Sequence, residues 1–424
     1  GKIYFGVNNT WYDSSDGTFA NAGEAFSNLT GMVVPMVQHA HASAGTFQVE
    51  FGAFGYTHAK PSGYKDINAT NLKASNTPAI GDGSKYFNTV LYTANNSDGH
   101  AITGVGFQPD WVWIKDRDTV ASHAVFDAVR GAQSGNGYLV PNNTDTEGQG
   151  GFTNTLKSFD SDGFTLDDDS NDQRVNFGGE MVSWNWLAGN ATSTPSGGSV
   201  ASTVSVNQTS GFSIVTWTGT GANATVAHGL GAVPKWIIVK NRDSAGNNWA
   251  VYHVGQDNTH VTFLDTDGAQ SATDRWQDTT PTSTVFSVDG TTDVNKSTDK
   301  MLAYCFAEIP GYSAFGSYKG NGNADGPFVN LGFKPAWFLA RPIGTASDWS
   351  IFDSGRSPVN VMNASLAPNT TAADYTHSSA KMDFIANGIK IRGTFAPFNS
   401  SGQTIIYAAF AENPFAGTAP ATAR

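Results

Sequence analysis

The chain has 424 residues, and its 24 Lys and Arg against 36 Asp and Glu leave a formal net charge of −12. That balance repels a phosphate backbone and offers no basic stripe, which argues against nucleic acid as a partner; no apolar run reaches the roughly 20 residues a membrane-spanning helix needs, so no membrane partner is expected. Charged residues are only 14% while Gly reaches 47 and aromatics 12%, a composition of short strands and tight turns that predicts an all-β fold.

The first segment, Lys2-Ile3-Tyr4-Phe5-Gly6-Val7, reads as a strand, with Asn8-Asn9 as a turn before Trp11. Met32-Val33-Val34-Pro35-Met36-Val37 is a second strand. Gly45-Thr46-Phe47-Gln48-Val49-Glu50-Phe51-Gly52 alternates with period two, the pattern of a half-buried antiparallel strand. Gly1-Lys2-Ile3-Tyr4-Phe5, the Pro35 strand, and Phe51-Gly52 followed by Phe54, Tyr56 and Pro61-Ser62-Gly63-Tyr64 together resemble the C-terminal half of a SPRY domain. The resemblance covers residues 1–73. It implies a β-sandwich that binds partners through loops, and a chain that is the C-terminal part of a longer polypeptide. His39 and His41 share a strand face in principle, but no third ligand lies near, so they read as solvated histidines and no metal is expected.

Beyond the leader, one motif is written three times: Pro109-Asp110-Trp111-Val112-Trp113-Ile114-Lys115, Pro234-Lys235-Trp236-Ile237-Ile238-Val239-Lys240, and Pro335-Ala336-Trp337-Phe338-Leu339-Ala340-Arg341. Tyr92, Trp217 and Tyr318 precede the three prolines by the same 17 residues, and the copies close on apolar strands ending near Trp186, Phe306 and Phe410. A module of about 100 residues is therefore repeated over 86–189, 212–311 and 312–416, with 190–211 as a linker and 417–424 as a frayed tail. The expected arrangement is a string of antiparallel β-sandwich modules; whether the three lie in a row or close into a pseudo-threefold body is left open.

Within the modules, the Trp111-Val112-Trp113-Ile114 run is apolar on both alternating faces, which places it mid-sheet and covered on each side. Asp127 with Arg130, and Asp353 with Arg356, read as local ion pairs fixing a turn. No second carboxylate recurs beside either aspartate, so no catalytic residue is assigned. Asp162-Gly163 and Asn387-Gly388 are hairpin signals in which both central residues reach positive φ. Asp160, Asp162, Asp167, Asp168 and Asp169, like Asp265 and Asp267, read as turn chemistry and not as a calcium loop. Cys305 lies in an apolar strand as a small core residue, and no cofactor is expected. Trp249 and Trp349 follow Pro234 and Pro335 by 15 and 14 residues, so they belong to the repeat frame and to its core. Trp11, Tyr12 and Tyr138 lie in polar or Gly-rich segments and are the candidates for an exposed binding contact.

The motif Gly106-Phe107-x-Pro109-x-Trp111-x-x-Ile114-Lys115, the Ser158-Phe159-Asp160-Ser161-Asp162-Gly163-Phe164 hairpin, Gly211-Phe212-Ser213-Ile214-Val215 and Ala409-Phe410-Ala411-Glu412-Asn413-Pro414 resemble uncharacterised β-rich repeats at the C-terminal ends of long structural proteins of tailed phages. That resemblance implies a virion location in a tail fibre, spike or head-attached fibre. Other virion subunits and host surface polysaccharide are the implied partners, and a homo-oligomer, as a trimer, the implied state. The function expected is non-enzymatic adhesion to the host surface. Its alternative is a purely structural head-decoration or whisker role. Third comes a polysaccharide depolymerase, which needs two carboxylates about 5 to 9.5 Å apart across a sugar cleft; no acid pair stands outside the repeat frame.

Overall fold

The computed structural model describes residues 78–132, 137–150, 154–170 and 174–414, with two short strands near the start. The chain divides into two units, Gly1–Thr77 and Pro78–Arg424. In the first unit β1 (Gly6–Val7) pairs antiparallel with β2 (Thr10–Trp11). The remainder of the SPRY-like expectation, with Tyr12, His39 and His41, lies outside the described residues.

The second unit is all-β and repeats one topology three times. Module 1 contains β3 (Phe87–Ala94), β4 (His100–Thr103), β5 (Trp111–Asp116), β6 (Ala124–Asp127), β7 (Leu156–Asp160), β8 (Gly163–Leu166) and β9 (Gly179–Trp186). Its larger sheet has the order β3-β9-β5-β6 and its smaller one β4-β8-β7. Module 2 runs through β10 (Ser202–Asn207), β11 (Phe212–Thr218), β12 (Ala224–Ala227), β13 (Pro234–Asn241), β14 (Ala250–His253), β15 (His260–Phe263), β16 (Ser271–Ala272), β17 (Val285–Val288) and β18 (Lys300–Ala307). Here the larger sheet is β10-β11-β18-β13-β14-β15-β16, and β12 pairs with β17 in a two-stranded sheet. Module 3 comprises β19 (Ser313–Lys319), β20 (Phe328–Asn330), β21 (Phe333–Pro342), β22 (Ser350–Asp353), β23 (Ala364–Ser365), β24 (Tyr375–Thr376), β25 (Met382–Ile385), β26 (Gly388–Ile391) and β27 (Thr404–Pro414). Its sheets β19-β27-β21-β22 and β20-β26-β25 restate those of module 1, beside a β23-β24 ribbon.

Strand β10 corrects the reading of 190–211 as a linker. The alternation Ser202-Thr203-Val204-Ser205-Val206 suits a half-buried edge, and β10 pairs along its whole length with β11. The hairpins stand where expected, with Gly163 and Gly388 at the expected positive φ of 138° and 158°, and a second reason for glycine is added: a Cβ on Gly163 would lie 2.0 Å from the Ile102 carbonyl oxygen, and one on Gly388 2.0 Å from that of Val329. Close approach of the neighbouring strand demands glycine there. The residues before them, Asp162 and Asn387, keep negative φ.

In modules 1 and 2 the motif strand is apolar on both faces because two different cores use it, whereas in module 3 Trp337, Phe338, Leu339 and Ala340 all belong to the one central core. Trp111 and Trp113 point into a central core shared by all three modules, while Val112 and Ile114 fill the space under the small sheet of module 1. Trp236 and Ile238 likewise join the central core, with Ile237 and Val239 facing the outer core of module 2. The centre closes as a ring. Trp111 packs on Tyr304 and Phe306 of module 2 at 4.4 and 5.8 Å between ring centroids. Trp236 meets Phe315 and Trp337 of module 3 at 6.1 and 6.4 Å, and Trp337 meets Phe87 and Trp186 of module 1 at 6.4 and 5.7 Å. The modules are thus a pseudo-threefold body around one aromatic core. The indole N–H groups of Trp111, Trp186, Trp236 and Trp337 have no oxygen or nitrogen partner; the edge-on packing of Trp186 on Trp337 is the arrangement in which ring faces accept weakly instead.

Three further rings of polar contacts cross the module boundaries. In the first, an N–H donor at equivalent positions reaches a backbone carbonyl of the preceding module: Trp249 Nε1 to Val140 O at 3.0 Å, Trp349 Nε1 to Phe263 O at 3.0 Å, and His123 Nε2 to Ala367 O at 3.1 Å. A second uses the residue paired with each motif tryptophan: Asp127 accepts from the Tyr304 hydroxyl at 2.8 Å, Asp353 from Trp184 Nε1 at 3.1 Å, and His253 Nε2 donates to Tyr407 O at 2.9 Å. The third is backbone to backbone, with Glu147 N donating to Arg242 O, Gln270 N to Ile343 O and Asp374 N to Arg117 O at 2.7 to 2.8 Å.

Candidate functional site

The repeat breaks in one place that opens a surface groove. In modules 1 and 3 the small sheet has a third strand, β7 or β25, whereas in module 2 the chain between β16 and β17 takes an irregular path. Gln277 and Asp278 there adopt left-handed φ of 52° and 48°. The segment is nevertheless pinned. Trp276 is buried and donates to His260 O at 3.1 Å, the Arg275 Nε–H is shared between both Asp293 carboxylate oxygens at 3.0 and 2.8 Å, and the Gln277 amide donates to Ala224 O and Val288 O at 3.0 and 2.6 Å. His228 Nε2 donates to Thr282 O at 3.2 Å.

Opposite this segment, the turn that carries Asn223 is held by buried Asn295, which accepts from Trp217 Nε1 and Thr220 N and donates to Ala222 O. Asn176 and Asn399 clamp the matching turns of the other modules in the same way, through Asn95 N with Ser97 O and through Asn321 N with Asn323 O. These three asparagines are a feature of the repeat that the sequence reading missed. Their signal was a recurring Asn a few residues before each closing strand.

The resulting groove, of about 670 Å³, is lined by Asn223, Asp274, Gln277, Asp278, Asp289, Gly290 and Thr291. Asp289 is spent on its own turn, accepting from Thr291 N and Oγ1. Asp274, Asp278 and Asn223 are exposed, and their side chains make no hydrogen bond among the described residues. Behind this segment, burial raises the Asp293 carboxyl above its ordinary value, with Arg275 pulling the other way. Free carboxylates and a carboxamide on a rigid frame suit a ligand that presents hydroxyls; no aromatic platform lines the groove.

Of the residues predicted as contacts, Tyr138 is corrected. It is 1% exposed, with its hydroxyl donating to Gln149 O at 2.7 Å, its ring 6.3 Å from that of Phe126, and the Arg174 guanidinium over its face. Its Gly- and Asn-rich neighbours gave the appearance of an exposed loop, but the tyrosine plugs the outer core of module 1. Trp11 stands in β2, and Tyr12 lies outside the described residues. Trp249 and Trp349 are each 1% exposed, as frame residues should be.

The acidic clusters are absorbed by turns and loops. Asp162 accepts from Gly104 N and Gly106 N, Asp160 from Ser158 and Thr165 hydroxyls, and Asp169 from three successive backbone N–H groups of residues 174–176. Asp265 accepts from Trp249 N. Both expected ion pairs exist and are fully buried, Arg130 to Asp127 at 2.5 Å and Arg356 to Asp353 at 2.6 Å. The cations ending the motif are buried as well, Lys115 and Lys240 on carbonyls of their own loops and Arg341 on Phe263 O and Thr266 O of module 2. Burial pushes both lysines down to about 8 and Arg341 to about 10.

Fold and site together define an all-β repeat protein whose three modules share one core and whose recurring charged residues serve as interlocks. A family model described as "Domain of unknown function (DUF7483)" matches residues 82–414, and the chain belongs to that family. No curated protein and no solved structure matches it.

Proposed function

We propose that the chain is a non-enzymatic appendage protein of a phage virion that holds host-surface polysaccharide through loops of the repeat body. The observation that carries the reading is the module 2 groove, where Asp274, Asp278 and Asn223 stand unpaired on a pinned frame at the single departure from the repeated small sheet. Hydroxyl-rich ligands are recognised by such planar acceptors and donors, and departures from a regular scaffold are where binding loops sit. Avidity from several copies on one particle, with a homotrimer as the expected assembly, would turn weak single contacts into durable attachment.

The test is saturable binding of the full chain to permissive host cells and to isolated surface polysaccharide, repeated with Asn223→Ala, Asp274→Ala and Asp278→Ala combined. Binding that the triple variant loses, with its melting curve unchanged, supports the reading. No saturable binding to any permissive host, or binding that the variant keeps, overturns the groove. The second reading, a structural decoration or whisker protein, is favoured by the sharing of one core among three modules, since a rigid body suits a coat. It predicts binding to other virion subunits and adsorption that survives deletion of the chain.

A further inference from the structure

Two of the ring contacts that hold module 3 are made by histidines, and both depend on the neutral imidazole. In His123, Nδ1 accepts from Trp113 Nε1 at 2.9 Å, and an indole N–H can only donate. Nε2 therefore carries the proton it donates to Ala367 O of module 3. In His253, Nδ1 accepts from Gly255 N at 2.9 Å, so again Nε2 carries the proton, donated to Tyr407 O of module 3. Neither δ partner can reverse its role. A second proton on either ring would set N–H against N–H in a site from which water is excluded, both histidines being at most 1% exposed.

The boundary between modules 1 and 2 has no histidine in these positions. Trp249 makes the first contact there and Tyr304 with Asp127 the second. Among the described residues, histidine makes these contacts only around module 3. We propose that acid frees module 3 from both of its neighbours while modules 1 and 2 remain joined, His123 and His253 acting as the two proton-sensitive clasps.

The surroundings of each ring support this. Burial first, then the charge of Lys115 and less strongly that of Arg356, holds the His123 pKa well below the ordinary histidine value, with the Ala367 carbonyl acting the other way. Burial pushes His253 down to about 4, with the Tyr407 carbonyl acting the other way and no charged side chain contributing. Its titratable neighbour is Tyr407, whose hydroxyl is pushed up to about 12 by burial and by Glu308. A lowered value means the His253 clasp is intact above about pH 6.5 and is lost progressively as pH falls through about 4, and the His123 clasp is lost in the same direction, towards acid. Arg117 pairs with Asp374 across the same boundary as His123 at 3.2 Å, and Arg242 pairs with Glu147 across the boundary of modules 1 and 2 at 2.6 Å, so the histidines and not the ion pairs distinguish the two.

The experiment is hydrogen exchange of the full chain at pH 7 and at pH 4, corrected for the intrinsic pH dependence of exchange. Peptides from β21, β22 and β27 should lose protection at least tenfold more than those from β5, β9 and β13, reversibly on return to pH 7. In His123→Trp, which installs the residue the other two modules use, and in His253→Gln, which keeps a donor that does not titrate, the selective loss should shrink. His123→Gln serves if the tryptophan does not fit. Loss of protection in all three modules together, no loss at pH 4, or variants that respond like the parent would overturn the proposal.

Discussion

The boundary between modules 1 and 2 and the boundary between modules 2 and 3 occupy equivalent positions, yet they are closed by different chemistry. At the first, Glu147 takes Arg130 of its own module at 2.9 Å and Arg242 of the next at 2.6 Å, beside the buried Asp127. The boundary between modules 3 and 1 repeats this with Asp374, Arg356, Arg117 and Asp353. At the second, the same four positions hold Gln270, Gln256, Ile343 and His253, and no carboxylate–guanidinium pair crosses among the described residues. What survives unchanged at all three is the backbone bond, Glu147 N to Arg242 O, Gln270 N to Ile343 O and Asp374 N to Arg117 O. The backbone lock is the constant of the fold, and the side chains around it vary, from ion pairs at two boundaries to neutral groups at the third, where Gln270 Oε1 is buried with no hydrogen-bond partner among the described residues.

That difference can be broken at its charged side first. Arg356→Met strips the buried Asp353 of its cation and should cost about 3 to 5 kcal/mol in urea unfolding, whereas Gln256→Met at the equivalent neutral position should cost about 1. Equal costs would mean the ionic network is not what holds its boundary.

A charge without a cation offers the opposite sign. Asp110 is buried and accepts from Ala188 N and Asn190 N, but burial outweighs those bonds and raises its carboxyl to about 6. A raised folded value means stability is present below about pH 4 and is lost as pH rises through 6. Asp110→Asn should therefore stabilise the protein at pH 7 by about 2 kcal/mol and make no difference at pH 3.5. Urea midpoints at the two pH values decide it.

Smaller effects separate ring contacts from ring packing. Trp249→Phe leaves Val140 O without its donor, while Trp236→Phe removes an indole N–H that has no polar partner. The first should therefore be worse than the second by about 1 kcal/mol. Least of all, Lys157→Ala breaks the exposed pair with Asp98 and should leave the urea midpoint unmoved.

The repeat, its strands and its buried ion pairs were legible because they rest on residues that recur: Pro, then Trp, then an apolar run, with Asp127 and Arg130 matched by Asp353 and Arg356. Closure into a ring was not. Three equivalent tryptophans say that their positions are alike, and nothing in spacing says that each meets its neighbour's copy. The clasps were hidden for a related reason, since His123 stands where the other modules have Trp249 and Trp349, and His253 where they have Asp127 and Asp353. Chemistry preserved through different residue types leaves no pattern to read. The groove was invisible because its lining is made of the polar side chains any exposed loop carries, and its only trace is a missing third strand between β16 and β17. Tyr138 misled because glycine and asparagine neighbours describe the backbone around it and not the ring they enclose.

The central claim is that three modules form one body around a shared core. Hydrogen exchange in increasing urea at pH 7 tests it most directly, followed separately for peptides of β5, β13 and β21. A shared core predicts a single midpoint for all three strands. Three separate midpoints, one for each module, would contradict it.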